Sequence, residues 1–160
     1  MMVDISNFDF IDFGASTGGS IDFARRILGG KRPLGIDIDP EKVARMRAEG
    51  FECIEADATA LDLQENSVRF VVLSHFLEHL PTPEHVRLAL QSASRVASEF
   101  LFIQGPFFDA DEYLKDCGLK YYWSNWSGHK CHLTTTMLTT ILDDLGLSDY
   151  ELMYVGEVSD

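Results

Sequence analysis

The stretch Phe10-Ile11-Asp12-Phe13-Gly14-Ala15-Ser16-Thr17-Gly18-Gly19-Ser20 decides the fold of this chain. It is an apolar run with one acidic residue, and it opens into a glycine-rich turn ahead of a predicted helix. Glycine lets the backbone adopt positive φ and approach a ligand closely. The order of strand, glycine turn and helix predicts a loop that binds a nucleoside cofactor, although such junctions also use glycine for geometry alone.

Asp12 discriminates between two classes of nucleoside cofactor. In a dinucleotide enzyme this turn wraps a pyrophosphate, which a carboxylate two residues ahead of Gly14 would repel. S-adenosylmethionine has no phosphate and carries a sulfonium and an ammonium group, which a carboxylate attracts. The sequence therefore favours S-adenosylmethionine over NAD.

Length, composition and charge limit the kind of protein. The 160 residues are 46% hydrophobic, enough for one packed domain over residues 1–160. The formal net charge is -13, from 13 basic and 26 acidic residues. Because binding to nucleic acid needs clustered cations, we expect no nucleic-acid partner.

The N-terminus and the cysteines bear on location. Met1-Met2-Val3-Asp4 has no basic segment followed by an apolar one, and no apolar run approaches about 18 residues. Cys53, Cys117 and Cys131 lack the spacing of a paired motif, which is typical of a reducing compartment. We therefore expect a cytoplasmic protein without a membrane partner.

Apolar runs alternate with amphipathic stretches, which predicts an α/β fold with a Rossmann-like, doubly wound parallel sheet. Strands are predicted at 8–13, 34–37, 51–55, 68–74, 99–104 and 150–155, and helices at 19–28, 40–49, 83–97 and 134–145. Right-handed crossovers then place the loops after strands one to four along one edge of the sheet.

Asp37 ends the second predicted strand, 19 residues after Gly18. A carboxylate there can accept hydrogen bonds from both ribose hydroxyls of a nucleoside. It could instead cap the next helix, but Asp39 before Pro40 is better placed for that role.

Asp12, Gly14, Ser16 and Gly18 resemble the first motif of the class I S-adenosylmethionine-dependent methyltransferases, acidic-x-Gly-x-Gly-x-Gly. Ser16 departs from the central glycine of that motif. Ala56-Asp57-Ala58 resembles the adenine-binding segment of the same family. The resemblance implies that Asp57 accepts from the exocyclic amine and that the Ala58 amide donates to the ring, whereas an Asx-turn is the structural alternative.

The segment from Val71 to Leu80 resembles the fourth-strand region of small-molecule methyltransferases of the ubiquinone-biosynthesis and bioC-like type. The resemblance covers about residues 8–105. It implies that Ser74 and His75 lie beside the transferable methyl group. The implied cofactor-binding residues are Asp12, Gly14, Ala15, Ser16, Gly18, Asp37, Ile38, Asp57, Ala58, Ser74 and His75.

A metal site is the competing interpretation of His75-Phe76-Leu77-Glu78-His79, which also fits a His-x-x-Glu-His zinc peptidase motif. That motif needs a long helix, but Pro81 and Pro83 follow at once. His129, Cys131 and His132 have no recognised ligand spacing. We therefore expect no metal, with Glu78 and His79 holding the corner after the fourth strand by hydrogen bonds, and His129 and His132 lining a substrate pocket or capping the next helix.

Residues 105–132 form a predicted insert on the substrate side. Its aromatic residues could line an acceptor site, flank the sulfonium through cation-π contact, or form a lid that packs on itself. They are Tyr121, Tyr122, Trp123 and Trp126.

The predicted activity is transfer of a methyl group from S-adenosylmethionine to a small molecule. His75 or His129 would be the catalytic base for a hydroxyl or ammonium acceptor. The alternative is a module of the same fold that binds the cofactor without turnover. The family normally adds a seventh, antiparallel strand for which this sequence has no residues. The resemblance therefore implies a shortened six-strand sheet in the order 3-2-1-4-5-6, and we expect a homodimer to cover the edge near 150–155.

Overall fold

The computed structural model describes residues 5–155. The strands are β1 (Phe10–Phe13), β2 (Pro33–Asp37), β3 (Cys53–Glu55), β4 (Val68–Ser74) and β5 (Ala97–Gln104). The helices are α1 (Gly19–Ile27), α2 (Pro40–Ala48), α3 (Pro83–Val96), α4 (Asp111–Asp116) and α5 (Thr135–Asp144), with short 3-10 turns at Leu77–His79 and Trp123–Asn125. Over this range no helix has both the length and the apolar character needed to cross a membrane.

The five strands form one sheet in the order β3-β2-β1-β4-β5, and every pair is parallel. This is the predicted order for the first five strands. β1 is central and all four of its residues are buried. Since parallel strands end at the same edge, the residues after β1, β2, β3 and β4 meet there.

Helices cover both faces of the sheet, as a doubly wound fold requires. One core cluster holds residues such as Ile11, Leu73 and Leu90, on the side of α3 and α5. The other holds Phe10 and Met46 among its members, on the side of α1 and α2. The two clusters explain why β1, β2 and most of β4 are near-continuous apolar runs, because these strands are buried on both faces.

The predicted cap of α2 is confirmed. The Asp39 carboxylate accepts from the Glu41 amide at 2.9 Å, and Pro40 occupies the first helical position. This pairing leaves the neighbouring Asp37 free of the capping role.

The predicted sixth strand at 150–155 is wrong. Residues 151–155 have no regular structure, and within residues 5–155 no strand follows β5. Met153, Tyr154 and Val155 are exposed, and the Tyr154 hydroxyl lies 3.2 Å from Thr135 Oγ1 at the start of α5. A run of strand-forming residues needs a neighbouring strand to pack against, and the recorded contacts of this one are those of Tyr154 with Thr135 and with the ring of Phe107.

Candidate functional site at the carboxyl edge of the sheet

The loop after β1 is held against β2 by its backbone. The amides of Gly14 and Ala15 both donate to the Ile36 carbonyl, at 2.8 and 3.1 Å. Gly14, Ser16 and Gly18 all have positive φ, at 70°, 49° and 82°. The alternating left-handed residues turn the chain sharply into α1, a conformation that costs Ser16 more than it costs glycine.

Gly14 has a second reason to lack a side chain. A Cβ atom there would collide with the ring of Phe76, which follows β4 and lies over the loop. The glycine thus lets the β1 loop and the segment after β4 approach closely. The loop after β1 and residues 75–80 after β4, which we call the β4 corner, are therefore in direct contact.

Asp12 is fully buried inside β1, ahead of this loop. Its Oδ2 accepts from the Ser20 hydroxyl at 2.5 Å, whereas its Oδ1 is buried without a hydrogen-bond partner. Burial raises the pKa of Asp12 from 3.8 to about 7, and the nearby charge of Asp37 adds to the rise, while the bond from Ser20 opposes it. A buried carboxylate oxygen without a donor is suited to a cationic ligand.

Asp37 lies at the end of β2, beside the glycine loop, and is only 6% exposed. Its Oδ2 accepts from the Ser16 amide at 3.2 Å, and its Oδ1 accepts from the Asp39 amide at 3.0 Å. Lys42 Nζ lies 3.9 Å from Oδ2. Asp37 therefore fixes the glycine loop in its left-handed conformation, a contact that its spacing from Gly18 did not indicate.

Ile38 and the Asp57-Ala58 pair follow β2 and β3 at the same edge. Ile38 is 68% exposed, while Ala58 is buried. Asp57 is exposed, and its Oδ1 accepts from both the amide and the hydroxyl of Thr59, at 2.8 and 2.7 Å. This is the Asx-turn that the sequence left open, and it leaves Asp57 Oδ2 available to a ligand.

Ser74 and His75 end β4 as predicted. The His75 amide donates to the Gln104 carbonyl at 2.8 Å, and the residue has a positive φ of 50°. Its ring is 57% exposed, with Nδ1 3.4 Å from Glu78 Oε1. The Glu78 carboxylate raises the pKa of His75, against the effect of partial burial. His75 is thus reachable from solvent at the edge that carries Asp12 and Asp37.

The comparison with protein families matches the "Methyltransferase domain" over residues 11–99, which spans β1 to β5 and all these acids. The chain belongs to this family. Its cofactor is S-adenosylmethionine, and the class I assignment from the sequence is confirmed. The narrower resemblance to the ubiquinone-biosynthesis and bioC-like type stays a prediction.

Solved structures share the fold. A methyltransferase from Archaeoglobus fulgidus that depends on S-adenosylmethionine is 23% identical with a TM-score of 0.68, over 89% of this chain and 63% of its own length. Another from Methanosarcina mazei is 18% identical with a TM-score of 0.68, over 91% of this chain and 85% of its own. The chain therefore spans less than two thirds of the Archaeoglobus protein. No curated protein matches significantly.

In this methyltransferase, His129 lies beside the β4 corner rather than at the start of α5. Its ring centroid is 5.0 Å from that of His79. The cap of α5 is Thr134, whose hydroxyl accepts from the Met137 amide at 3.3 Å, so the interpretation of His129 or His132 as the cap is wrong. His132 instead pairs with Asp111 at 3.2 Å.

The aromatic residues of the insert pack on one another or on histidines. Tyr121 stacks on Trp123 with ring centroids 4.4 Å apart, and Trp123 donates its indole N–H to the Phe107 carbonyl. Trp126 contacts the rings of His79 and His129. These contacts favour the interpretation of the insert as a segment that packs on itself.

Sequence reasoning missed two contributors to the site. Ser20 gives Asp12 its hydrogen bond, and a serine in the first turn of the helix after the loop could have indicated it. Phe76 lies over Gly14, but no sequence pattern shows which apolar side chain faces a loop.

Glu78 and His79 were predicted to hold the segment after β4 by hydrogen bonds. The Glu78 carbonyl accepts from the amides of Lys130 and Cys131 at 2.9 and 3.1 Å, and His79 Nδ1 lies 2.9 Å from the Gly128 carbonyl. The Glu78 carboxylate takes no part in this, because it is 2% exposed and its oxygens have no hydrogen-bond partner. The rarity of fully buried glutamate made that burial unpredictable.

Proposed function

We propose that this chain transfers a methyl group from S-adenosylmethionine to a small-molecule acceptor. The observation that carries the proposal is the buried Asp12 carboxylate, whose Oδ1 has no partner at the head of the glycine loop. A cation is the natural partner for it, and a phosphate is not. The ammonium of the cofactor is such a cation.

The other contacts follow from the order of the strands. Asp37 would accept from the ribose hydroxyls, and the exposed Ile38 and buried Ala58 would contact the adenine, with Asp57 accepting from its amine through Oδ2. Ala15, Ser16 and Gly18 would surround the methionine part through the loop backbone. These residues fit the cofactor because they present carboxylates and apolar atoms at one edge.

The bound cofactor supplies an electrophilic methyl carbon for an in-line displacement. The protein has to hold the acceptor opposite the sulfur and exclude water. Ser74 and His75 would lie beside the transferred group, and His75 would take the proton from a hydroxyl or ammonium acceptor, with His129 as the second candidate. A carbanion or thiolate acceptor would need neither.

A small acceptor, a cytoplasmic location and the absence of nucleic-acid and membrane partners form the finer part of the proposal. Their support is the net charge of -13, which opposes binding to phosphate backbones or anionic membrane surfaces. A homodimer would cover β5, which has β4 as its one strand neighbour in the described sheet. Light scattering that shows a strict monomer would contradict the dimer.

The test is incorporation of label from S-adenosylmethionine, labelled in its methyl group, into carboxylate, phenol, amine and thiol acceptors. We expect labelled product with at least one acceptor class and loss of the product in Asp37→Ala. Binding of the cofactor to the folded protein without product from any class would favour the module without turnover.

A further inference from the structure

The side chains of Glu78, His79 and His129 converge behind the β4 corner. One possible ligand atom from each lies within 4.8 Å of the other two. Glu78 and His79 come from the turn after β4, whereas His129 comes from the insert, about fifty residues further along the chain. The contact between the two segments is therefore a tertiary one.

The hydrogen bonds of the two histidines fix which nitrogen faces the group. His79 Nδ1 lies 2.9 Å from the Gly128 carbonyl, and His129 Nδ1 lies 2.9 Å from the Trp123 carbonyl. A carbonyl only accepts, so each Nδ1 is the donor, and each Nε2 of a neutral ring carries a free lone pair. Bonds of this kind hold metal-ligating histidines in place in known sites.

Glu78 supplies the negative charge of the group. Its side chain is 2% exposed, and both of its carboxylate oxygens are buried without a hydrogen bond. The His75 contact at 3.4 Å is an ion-pair contact to Oε1. Three acceptors therefore meet, and the carboxylate among them is buried without a hydrogen bond, an arrangement that a cation relieves.

The surroundings of the group are those of a metal site. Trp126 and Phe108 pack edge-on against His129, with ring centroids 4.7 and 5.9 Å away, and form an apolar shell around the polar atoms. Two imidazoles and one carboxylate are a ligand set of Zn²⁺, which uses bonds of about 2.0–2.2 Å and keeps a fourth position open in sites with three protein ligands. The side chains would close inward around the ion.

We propose that Glu78, His79 and His129 bind one Zn²⁺ ion that ties the insert to the β4 corner. This replaces the expectation of no metal from the sequence. That expectation weighed a helix presenting His75 and His79 separately from the spacing of His129, Cys131 and His132, whereas the structure brings His79 and His129 together from the two segments. The proposal does not depend on methyl transfer, because the site is built from residues other than the cofactor-binding acids. A bound ion would occupy Nε2 of His129, which would leave His75 as the catalytic base.

The experiment measures Zn²⁺ binding to the chelator-treated full chain by calorimetry, with the melting temperature as a second readout. We expect one equivalent bound and a rise in melting temperature. His129→Ala should lower the affinity more than about 100-fold, since removing even an outer partner of a ligand costs 10–100-fold. Glu78→Gln should lower it as well and remove the rise in melting temperature.

His132→Ala is the matched control, because His132 lies in the same insert but pairs with Asp111 outside the group. We expect it to bind Zn²⁺ as the wild type does. Circular dichroism identifies the folded variants. Absence of binding in the folded wild type, or equal affinity in folded His129→Ala and wild type, would overturn the proposal.

Discussion

The glycine loop and the insert lie on the same side of the sheet but are built in different ways. The loop is fixed by backbone bonds, such as Gly14 to Ile36, and by acids at the ends of consecutive strands. The insert is held by contacts across long sequence distances, such as the bond from His79 Nδ1 to the Gly128 carbonyl and the bonds from the Lys130 and Cys131 amides to the Glu78 carbonyl. Residues that act through local geometry therefore leave a motif in the sequence, and residues that act through tertiary contact do not.

The largest expected effect concerns Asp12 in the cofactor-free protein. Because its folded pKa is raised from 3.8 to about 7, the folded state keeps a proton that the unfolded chain releases. The stability that this proton contributes is complete below pH 3.8 and is lost as the pH rises to 7. The total loss is about 4 kcal/mol, with roughly half of it between pH 5.5 and 8.5.

Urea unfolding at pH 5.5 and 8.5 gives the change in the free energy of unfolding over this range. The contribution of Asp12 is the change for the wild type minus the change for Asp12→Asn. We expect the wild type to lose about 2 kcal/mol more than the variant over that range. Asp22→Asn is the control, since Asp22 is an exposed acid of α1. Parallel pH profiles for wild type and Asp12→Asn would contradict the burial of a costly charge at the loop.

Removal of the Asp37 carboxylate tests whether the region of the glycine loop binds the cofactor. Asp37→Ala should weaken S-adenosylmethionine binding by about 1–3 kcal/mol, the scale for hydrogen bonds to a charged group. Asp39→Ala separates this effect from the stability of α2. It removes only the helix cap, so it should cost about 1 kcal/mol of folding free energy and leave the affinity unchanged. Calorimetry giving equal affinities for wild type and Asp37→Ala would remove Asp37 from the site.

Ser16 tests whether the loop conformation is strained. Its φ of 49° costs an L-residue about 1–2 kcal/mol that glycine avoids. Ser16→Gly should raise the free energy of unfolding by up to about 1 kcal/mol, because the more flexible unfolded chain offsets part of the relief. Thermal and urea unfolding measure it, with Ser94→Gly at a partly exposed position inside α3 as a control that should destabilise. Destabilisation by Ser16→Gly would show that the hydroxyl contributes more than the strain costs.

The smallest effect is expected in the insert. Trp126 contacts His79 and His129, so Trp126→Ala should leave the affinity for S-adenosylmethionine within about twofold of wild type. A loss comparable to that of Asp37→Ala would instead place the indole against the sulfonium and join the two regions into one site.

The fold was predictable where burial dictates the pattern. β4 has the bounds read from the sequence, and the order of β3, β2, β1, β4 and β5 is the one that the family resemblance implied. The prediction of a strand at 150–155 failed for a physical reason. Residues of high strand propensity form a strand only when a neighbouring strand packs against them, and this segment pairs with no described strand.

The residues of the candidate site also divide into those that the sequence indicated and those that only the structure shows. Asp12 and Asp37 were found because each stands at the end of a strand beside a glycine loop. Phe76 and the burial of the Glu78 carboxylate were not, because they depend on which side chains come to lie against each residue. The group of Glu78, His79 and His129 has no spacing in the sequence, since one member comes from a different segment.

The central claim is that a buried carboxylate selects a cationic nucleoside cofactor. Calorimetry with S-adenosylmethionine and NAD on the same wild-type protein at pH 8, where Asp12 is ionised, tests it most directly. S-adenosylmethionine should bind measurably and more tightly than NAD. Tighter binding of NAD, or no binding of S-adenosylmethionine to the folded chain, would contradict the account.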